Sequence, residues 1–314
     1  MEERMKIFIA PMAGVTDYTF RGILHEYKPD LIFTEMVSVN ALEMENDKTL
    51  NQILRIRDGE AVQIFGRDID KMVHSAKYIE SLGVKHIDIN AGCPVNKIIK
   101  NGYGAALLED PEHIRKILFE VRSALKDETA LSIKTRTGYK GVKQHINIAK
   151  MAEEAGCTHI TLHGRTREQM YSGKADWQYI KEVKEAVSID VIGNGDIFTA
   201  EDAVERINLS GVDGVMLARG VCGNPWLIRE VREMLEFGEI KTVVSPKERL
   251  DLAMQHVLLA KIDSPGKPFQ FELRKHLCWY LKGLKHATTL KNAINSIDNY
   301  DELIALLEKA KENI

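Results

Sequence analysis

Cys93 stands in the string Asn90-Ala91-Gly92-Cys93-Pro94, directly after the apolar run His86-Ile87-Asp88-Ile89. An ordinary cysteine pKa is about 8.5, so near neutral pH the thiol is mostly protonated and can release its proton inside a site. It is a candidate general acid. The competing reading is packing, because free cysteine is among the most buried residue types. The neighbours that decide between them are polar and share one kind of position. Gln63 lies in one apolar run, and Lys134-Thr135-Arg136, His163-Gly164-Arg165, Asn194-Gly195-Asp196 and Ala218-Arg219-Gly220 end or follow others. Singly, Gln63 can cap a loop, His163 can sit satisfied in a core and the glycines can make turns. Together they imply one shared mouth. Glycine-containing loops after the last two runs, with Arg219 beside them, make a phosphate cradle, so a phosphorylated ligand is expected. Lys134 would set a positive charge over the bowl. That charge suits an anionic electron-rich ring such as a reduced flavin or, at a depressed pKa, a Schiff base.

The elements that must position these groups follow a cadence. Short apolar runs recur eight times: Ile7 to Pro11, Leu31 to Val37, Ala61 to Phe65, His86 to Asn90, Ala130 to Thr135, His159 to His163, Asp190 to Gly193 and Gly214 to Ala218. Between them lie helical patterns at Asp70 to Leu82, Pro111 to Leu125, Val142 to Ala155 and Thr199 to Asn208, the last opening on a hydroxyl followed by acidic residues. Repeated βα units predict a parallel sheet. Eight units, with no GxGxxG after the first strand, fit a closed (β/α)8 TIM barrel better than an open doubly wound sheet. In such barrels the C-terminal strand ends carry the chemistry, which is where the polar residues above fall. After Phe237-Gly238-Glu239 the cadence stops, and Val243-Val244-Ser245-Pro246 reads as a linker. Only helical periodicity follows, at Leu250 to Ala260, Phe271 to Leu284 and Tyr300 to Ala310, with a turn cluster at residues 263–268. The expected organisation is a catalytic barrel over residues 1–240 and a small all-helical C-terminal domain over 246–314.

Bulk properties narrow the class. A chain of 314 residues with 44% hydrophobic and 28% charged residues reads as globular, not disordered. The N-terminal residues lack the long apolar stretch of a signal peptide or membrane helix, so a cytoplasmic protein without membrane association is expected. Cys93, Cys157, Cys222 and Cys278 form no CxxC pair, which signals neither a metal site nor a disulfide framework. The net charge of -3 leaves room only for a regional basic face.

Seven strings occur in order: Ile9-Ala10-Pro11-Met12-Ala13-Gly14-Val15-Thr16-Asp17, Gln63-Ile64-Phe65-Gly66, Asn90-Ala91-Gly92-Cys93-Pro94, Lys134-Thr135-Arg136, His163-Gly164-Arg165-Thr166, Asn194-Gly195-Asp196 and Arg274-Lys275-His276-Leu277. Together they resemble the tRNA-dihydrouridine synthases, most closely the bacterial B-like branch. The resemblance implies an FMN-dependent enzyme that reduces the C5–C6 double bond of uridine in tRNA, with NADPH reducing the flavin. It implies that Pro11, Met12 and Ala13 line the isoalloxazine, that Gln63 and Lys134 contact its polar edge, and that His163 helps hold it. Asn194, Gly195, Asp196, Ala218 and Arg219 would enclose the ribityl phosphate. Cys93 would protonate uracil C5, with Asn90 and Arg136 beside the substrate. Many relatives have glycine where this chain has Ala218, which matters only if the loop there is left-handed.

On a helical wheel of the stretch from Phe271 to Leu284 and beyond, Arg274, Lys275, Lys282 and Lys285 fall on one side. Leu273, Leu277, Tyr280, Leu281 and Leu284 fall on another. From Lys247 to Lys291 there are nine Lys or Arg against four Asp or Glu. A solvated face is the ordinary explanation of such a stripe; here it is expected to hold RNA phosphates. A monomer is expected. Two alternatives remain open, an FMN-dependent dehydrogenase of a free pyrimidine, dihydroorotate-type, and a Lys134 Schiff-base lyase.

Overall fold

The computed structural model describes residues 4–46, 49–264 and 271–312; residues 265–268 of the expected turn cluster lie outside these. Strands β1 (Lys6–Ile9), β2 (Leu31–Ile32), β3 (Val37–Ser38), β4 (Val62–Phe65), β5 (His86–Ala91) and β6 (Ala130–Arg136) are followed by a small hairpin, β7 (Gly138–Tyr139) and β8 (Val142–Lys143). Then come β9 (His159–His163), β10 (Asp190–Asn194) and β11 (Gly214–Leu217). The main sheet is parallel, in the order β2-β1-β11-β10-β9-β6-β5-β4-β3. Its two ends belong to one interrupted strand. β2 pairs with β1, β3 pairs with β4, and a bridge from Phe33 to Ala61 joins the two edges. The sheet therefore curls into a barrel with eight strand positions, matching the eight apolar runs. At the interruption Glu35 turns toward the mouth, where its Oε1 accepts from the Gly14 amide at 2.6 Å.

Strands buried on both faces read as continuous apolar runs, and the barrel shows it: β4 and β9 are buried throughout. Inside, the rings of Phe8, Phe33, His86 and His159 contact one another at centroid distances of 5.0 to 6.2 Å. They plug the N-terminal end of the barrel and leave its C-terminal end open. Burial lowers both imidazoles, His86 to about 4 and His159 well below its ordinary value, so the plug is uncharged at neutral pH.

The outer helices begin where capping chemistry directs. Asp68 caps Ile69–Ser81, Asp110 caps Pro111–Ala124 with proline in the first turn, and Thr199 with Asp202 forms a capping box on Ala200–Ser210. The expected helix from Val142 starts later, at His145. Lys140 and Gly141 take φ of +50° and +78°, which closes the β7–β8 hairpin and draws Val142 and Lys143 into it.

A Ser245–Glu248 capping box opens Pro246–Asp263, and the chain continues through helices Phe271–Tyr280, Ala287–Ser296 and Tyr300–Lys311. The helix expected to run to Leu284 ends at Tyr280, because the Lys282 amide turns back to the Trp279 carbonyl at 3.1 Å and Gly283 takes φ +85°. Ala287–Ser296 has no counterpart in the expected set. Leu250, Val257, Leu277, Leu281, Leu303 and Leu307 are buried in a core continuous with that of the barrel helices. No helix among the described residues is long and apolar enough to cross a membrane.

Candidate active site

A cavity of about 370 Å³ opens at the C-terminal end of the barrel. Fourteen of the residues singled out in the sequence line it: Pro11, Met12, Ala13, Gln63, Asn90, Cys93, Lys134, Arg136, His163, Asn194, Gly195, Asp196, Ala218 and Arg219. Strand period and parallel register explain the convergence. Asn90 pairs with Lys134, Lys134 with Thr161, Arg136 with His163 and Asn194 with His163, so side chains from neighbouring strands reach the mouth at matched heights.

A buried hydrogen-bonded chain fixes the polar groups on one wall. Ser132 Oγ donates to Asp88 Oδ1 at 2.5 Å and Gln63 Nε2 to Asp88 Oδ2 at 2.7 Å. Asn90 Nδ2 donates to Gln63 Oε1 at 2.7 Å, and Asn90 Oδ1 accepts from the amides of Gly92 at 3.2 Å and Cys93 at 3.0 Å. A carboxylate accepts only and a backbone amide donates only, so the two ends of the chain agree on its direction. Gln63 and Asn90 are thereby oriented: Gln63 keeps one amide N–H beyond the one given to Asp88, and the second N–H of Asn90 meets only the weak acceptor Met36 Sδ, at 3.8 Å. Cys93 is held from both sides, since its carbonyl also accepts from the Ala105 amide at 3.0 Å.

Burial pushes the Cys93 thiol above its ordinary range, while the Val95 amide, Arg136 and Lys134 pull it back only in part. The helix that follows Pro94, Asn96–Ile99, is a single turn, so its pull on the thiol is small. The thiol is neutral at neutral pH. Lys134 donates to Asn194 Oδ1 at 3.1 Å, and burial together with Arg136 lowers it to about 8 against the pull of Asp88 and Cys93. It remains mostly a cation at pH 7. Arg136 is anchored through Nε to the Gly92 carbonyl and through Nη1 to the carbonyls of Thr166 and Met170, each at 2.9 Å.

On the opposite wall Asp196 adopts φ +53° after Gly195 at φ +129°. Its carboxylate is occupied by Arg165 at 2.9 and 2.7 Å, the Ala175 amide at 2.8 Å and Arg219 at 3.4 Å. The side chain thus orients two arginines, and an incoming anion would meet these cations and the loop backbone. His163 accepts from Arg165 Nη1 at 3.3 Å; burial, followed by Arg136, Lys134, Arg165 and Arg219, holds it uncharged. Ala218 has φ −125°, so its backbone does not take the left-handed conformation that would call for glycine. The cavity is electropositive and rich in donors, as an anionic phosphate-bearing ligand requires.

Four contributors escaped the sequence reading. Asp88 and Arg165 sit inside strings already noted, but nothing in their spacing says that they orient their neighbours. Met36 lines the cavity from the interrupted strand, and Tyr171 does so from a loop, with the Arg219 guanidinium 4.7 Å from its ring centroid. The basic stripe is not assembled as expected. Arg274 donates to the Ile297 carbonyl at 2.8 Å and Asp298 at 2.6 Å, and Lys275 donates to the Gly14 carbonyl at 2.9 Å. Lys282 and Lys285 lie exposed in the turns beyond the helix end. The chain turns at Lys282 and Gly283, so these four residues do not share one helical face.

The family model for dihydrouridine synthase (Dus) matches residues 8–314. A probable tRNA-dihydrouridine synthase of Rickettsia conorii is 37% identical over 319 residues, covering 99% of this chain and 94% of the relative. The tRNA-dihydrouridine synthase B of Pasteurella multocida is 37% identical over 306 residues, covering 96% and 91%. Among solved structures, histamine dehydrogenase from Rhizobium sp. 4-9 superposes with a TM-score of 0.55 at 14% identity over 81% of this chain and 49% of that one. A 2-naphthoyl-CoA reductase gives 0.56 at 12% identity over 73% and 50%. The chain spans about half the length of these two structures, and the likeness is one of fold.

Proposed function

The chain belongs to the dihydrouridine synthase family, and we propose from that membership that it is a flavin-dependent oxidoreductase reducing uridine in tRNA to 5,6-dihydrouridine. FMN is the resident cofactor, NADPH the reductant, and the protein works as a cytoplasmic monomer. The cavity suits the cofactor's chemistry. Lys134 and the spare N–H of Gln63 would hold the polar edge of an isoalloxazine, Pro11, Met12 and Ala13 would supply an apolar wall, and Arg219 with the backbone of 195–196 and 218–219 would receive the phosphate. His163, a neutral imidazole, would help hold the ring. When bound and reduced by NADPH, the flavin supplies a hydride to uracil C6.

The residues of the chain do the rest. Negative charge then develops at C5 and O4 of the uracil, and the neutral Cys93 thiol gives its proton to C5 from the opposite face. The resulting thiolate, near Arg136 and Lys134, regains a proton from solvent, so two hydrogens are added in all. Asn90, with its carbonyl oxygen committed to the Gly92 and Cys93 amides, presents N–H to a uracil carbonyl. Arg136 lies beside the same base. The barrel over 1–240 carries this chemistry, and the helices over 246–314 receive the RNA, principally through Lys282 and Lys285. The target uridine must leave its stack to enter the mouth, which favours a flexible loop of the tRNA.

The observation that carries this reading is a neutral, doubly anchored Cys93 in one cavity with an electropositive donor wall. A free-pyrimidine dehydrogenase and a Lys134 Schiff-base lyase lack the family support, which extends through the helical segment to residue 314. Cys93→Ala is expected to leave FMN bound and NADPH oxidation by oxygen intact, while dihydrouridine formation in tRNA drops by about 10²-fold or more. Undiminished tRNA reduction by that variant would remove Cys93 as the acid.

A further inference from the structure

We propose that the Arg-Lys-His run of helix Phe271–Tyr280 is a clamp that holds the cofactor wall in place, with Lys275 and His276 as positioning residues for the flavin pocket. The inference rests on the flavin reading above and assigns the motif a role other than RNA contact. The wall in question is the loop after β1, whose Met12, Ala13 and Val15 line the cavity. Its backbone is tied at several points. The Met12 amide donates to Thr16 Oγ1 at 2.9 Å, the Val15 and Thr16 amides return to the Met12 carbonyl at 3.0 and 2.9 Å, and the Gly14 amide donates to Glu35 at 2.6 Å. Two successive carbonyls point outward instead. That of Gly14 accepts from Lys275 Nζ at 2.9 Å, and that of Val15 accepts from His276 Nε2 at 3.0 Å.

His276 is fully buried, its ring tilted by 42° against that of Phe20 with centroids 4.2 Å apart, and its N–H meets the half-buried Val15 carbonyl. Among the described residues its other ring nitrogen has no hydrogen-bond partner, so the Val15 carbonyl is the polar contact that its ring makes. The same helix reaches the next strand's loop. Trp279 lines the cavity, and its backbone lies so close to Gly223 that a Cβ there would approach within 2.7 Å. β1 and β11 are neighbours in the sheet, so one helix spans both loops that flank this side of the mouth. Arg274 turns the other way, onto Ile297 and Asp298, and fixes the helix to the segment that follows.

The test uses the full chain as apoprotein and compares FMN titration by fluorescence quenching with tRNA binding at several salt concentrations. Lys275→Met and His276→Leu are each expected to weaken FMN binding by about tenfold, since each removes a donor from a buried or half-buried carbonyl. His276→Gln, which can still present an N–H, is expected to recover most of the loss. Lys275→Met should leave the slope of tRNA affinity against salt unchanged. Lys275 is only half-buried, so its variant carries the test even where a His276 variant fails to fold. FMN affinity within about twofold of wild type for Lys275→Met, or a salt slope lowered by about one, would overturn the clamp. Wild-type protein that binds no FMN would instead overturn the flavin reading itself.

Discussion

Asp88 is the residue on which the donor wall depends, and it is a carboxylate buried without a cation in contact. Burial raises it to about 6, against the hydrogen bonds from Gln63 and Ser132 and the more distant charge of Lys134. The sign of the consequence follows from linkage. Between an unfolded value near 3.8 and a folded value near 6 the folded state holds more protons, so this group's contribution to stability falls as pH rises through that window. Its cost is complete above pH 6 and relieved below about 4. Asp88→Asn keeps an acceptor for Gln63 and removes the titration. Urea unfolding of both proteins from pH 4 to 7 should therefore show wild type losing ground to the variant as pH rises, by up to about 3 kcal/mol. A pH-independent difference would show that Asp88 is not the titrating group. Lys134 gives a second test, with the opposite requirement. Its cation is present below about pH 8 and lost above, so dihydrouridine formation should decline as pH passes 8. Lys134→Met should lower kcat by about tenfold or more and abolish that limb.

The strand ends were legible because a parallel barrel couples sequence position to spatial position. A residue such as Gln63, Lys134 or His163 at the end of an apolar run has nowhere to project except the mouth or the core, and the register decides which. The helix starts at Asp110, Thr199 and Ser245 were legible through local caps, which need no tertiary information. What was illegible depended on tertiary choice or on a backbone turn. The interrupted second strand reads as one run from Leu31 to Val37, and only its place between β1 and β4 shows why Glu35 and Met36 leave the sheet. The stripe through Arg274, Lys275, Lys282 and Lys285 assumed 100° per residue past a glycine that takes φ +85°. Two of its members are engaged inside the fold, and the other two are exposed in turns. The part of the stripe left on the surface for RNA phosphates is the turn that carries Lys282 and Lys285. Reversing both Lys282 and Lys285 to Glu should weaken tRNA binding and reduce its salt slope by about two, with FMN content unchanged. Filter binding across a salt series checks it, and an unchanged slope would leave these lysines as solvated surface.

The sequence divides the chain near residues 240–246, but the packing does not. Phe20, on the first barrel helix, Tyr18–His25, is fully buried, with His276 at 4.2 Å and His256 at 5.9 Å between ring centroids, both contributed by the C-terminal helices. Thr19 donates to Asp263 at 2.7 Å, and Arg55 donates to the Asp263 carbonyl at 3.1 Å. The apolar core runs without a break from β1 to Leu307. Burial of a large apolar side chain contributes about 1.5–3 kcal/mol, while a whole domain is stable by only about 5–15 kcal/mol. A barrel deprived of the helices would expose Phe20 together with the backbone carbonyls of Gly14 and Val15, and would lose a substantial part of that margin. The expectation is one cooperative unfolding transition for the full chain, with loss of far-ultraviolet circular dichroism and release of FMN fluorescence at the same midpoint. A chain ending at residue 245 should accumulate as aggregate or lack the spectrum of bound flavin. Two separated transitions, or a soluble truncated barrel with native flavin affinity, would show that the helices fold apart from the barrel. Coupling of this kind gives the C-terminal helices a mechanical hold on the mouth of the barrel, because they are built on the same core that supports the loop after β1.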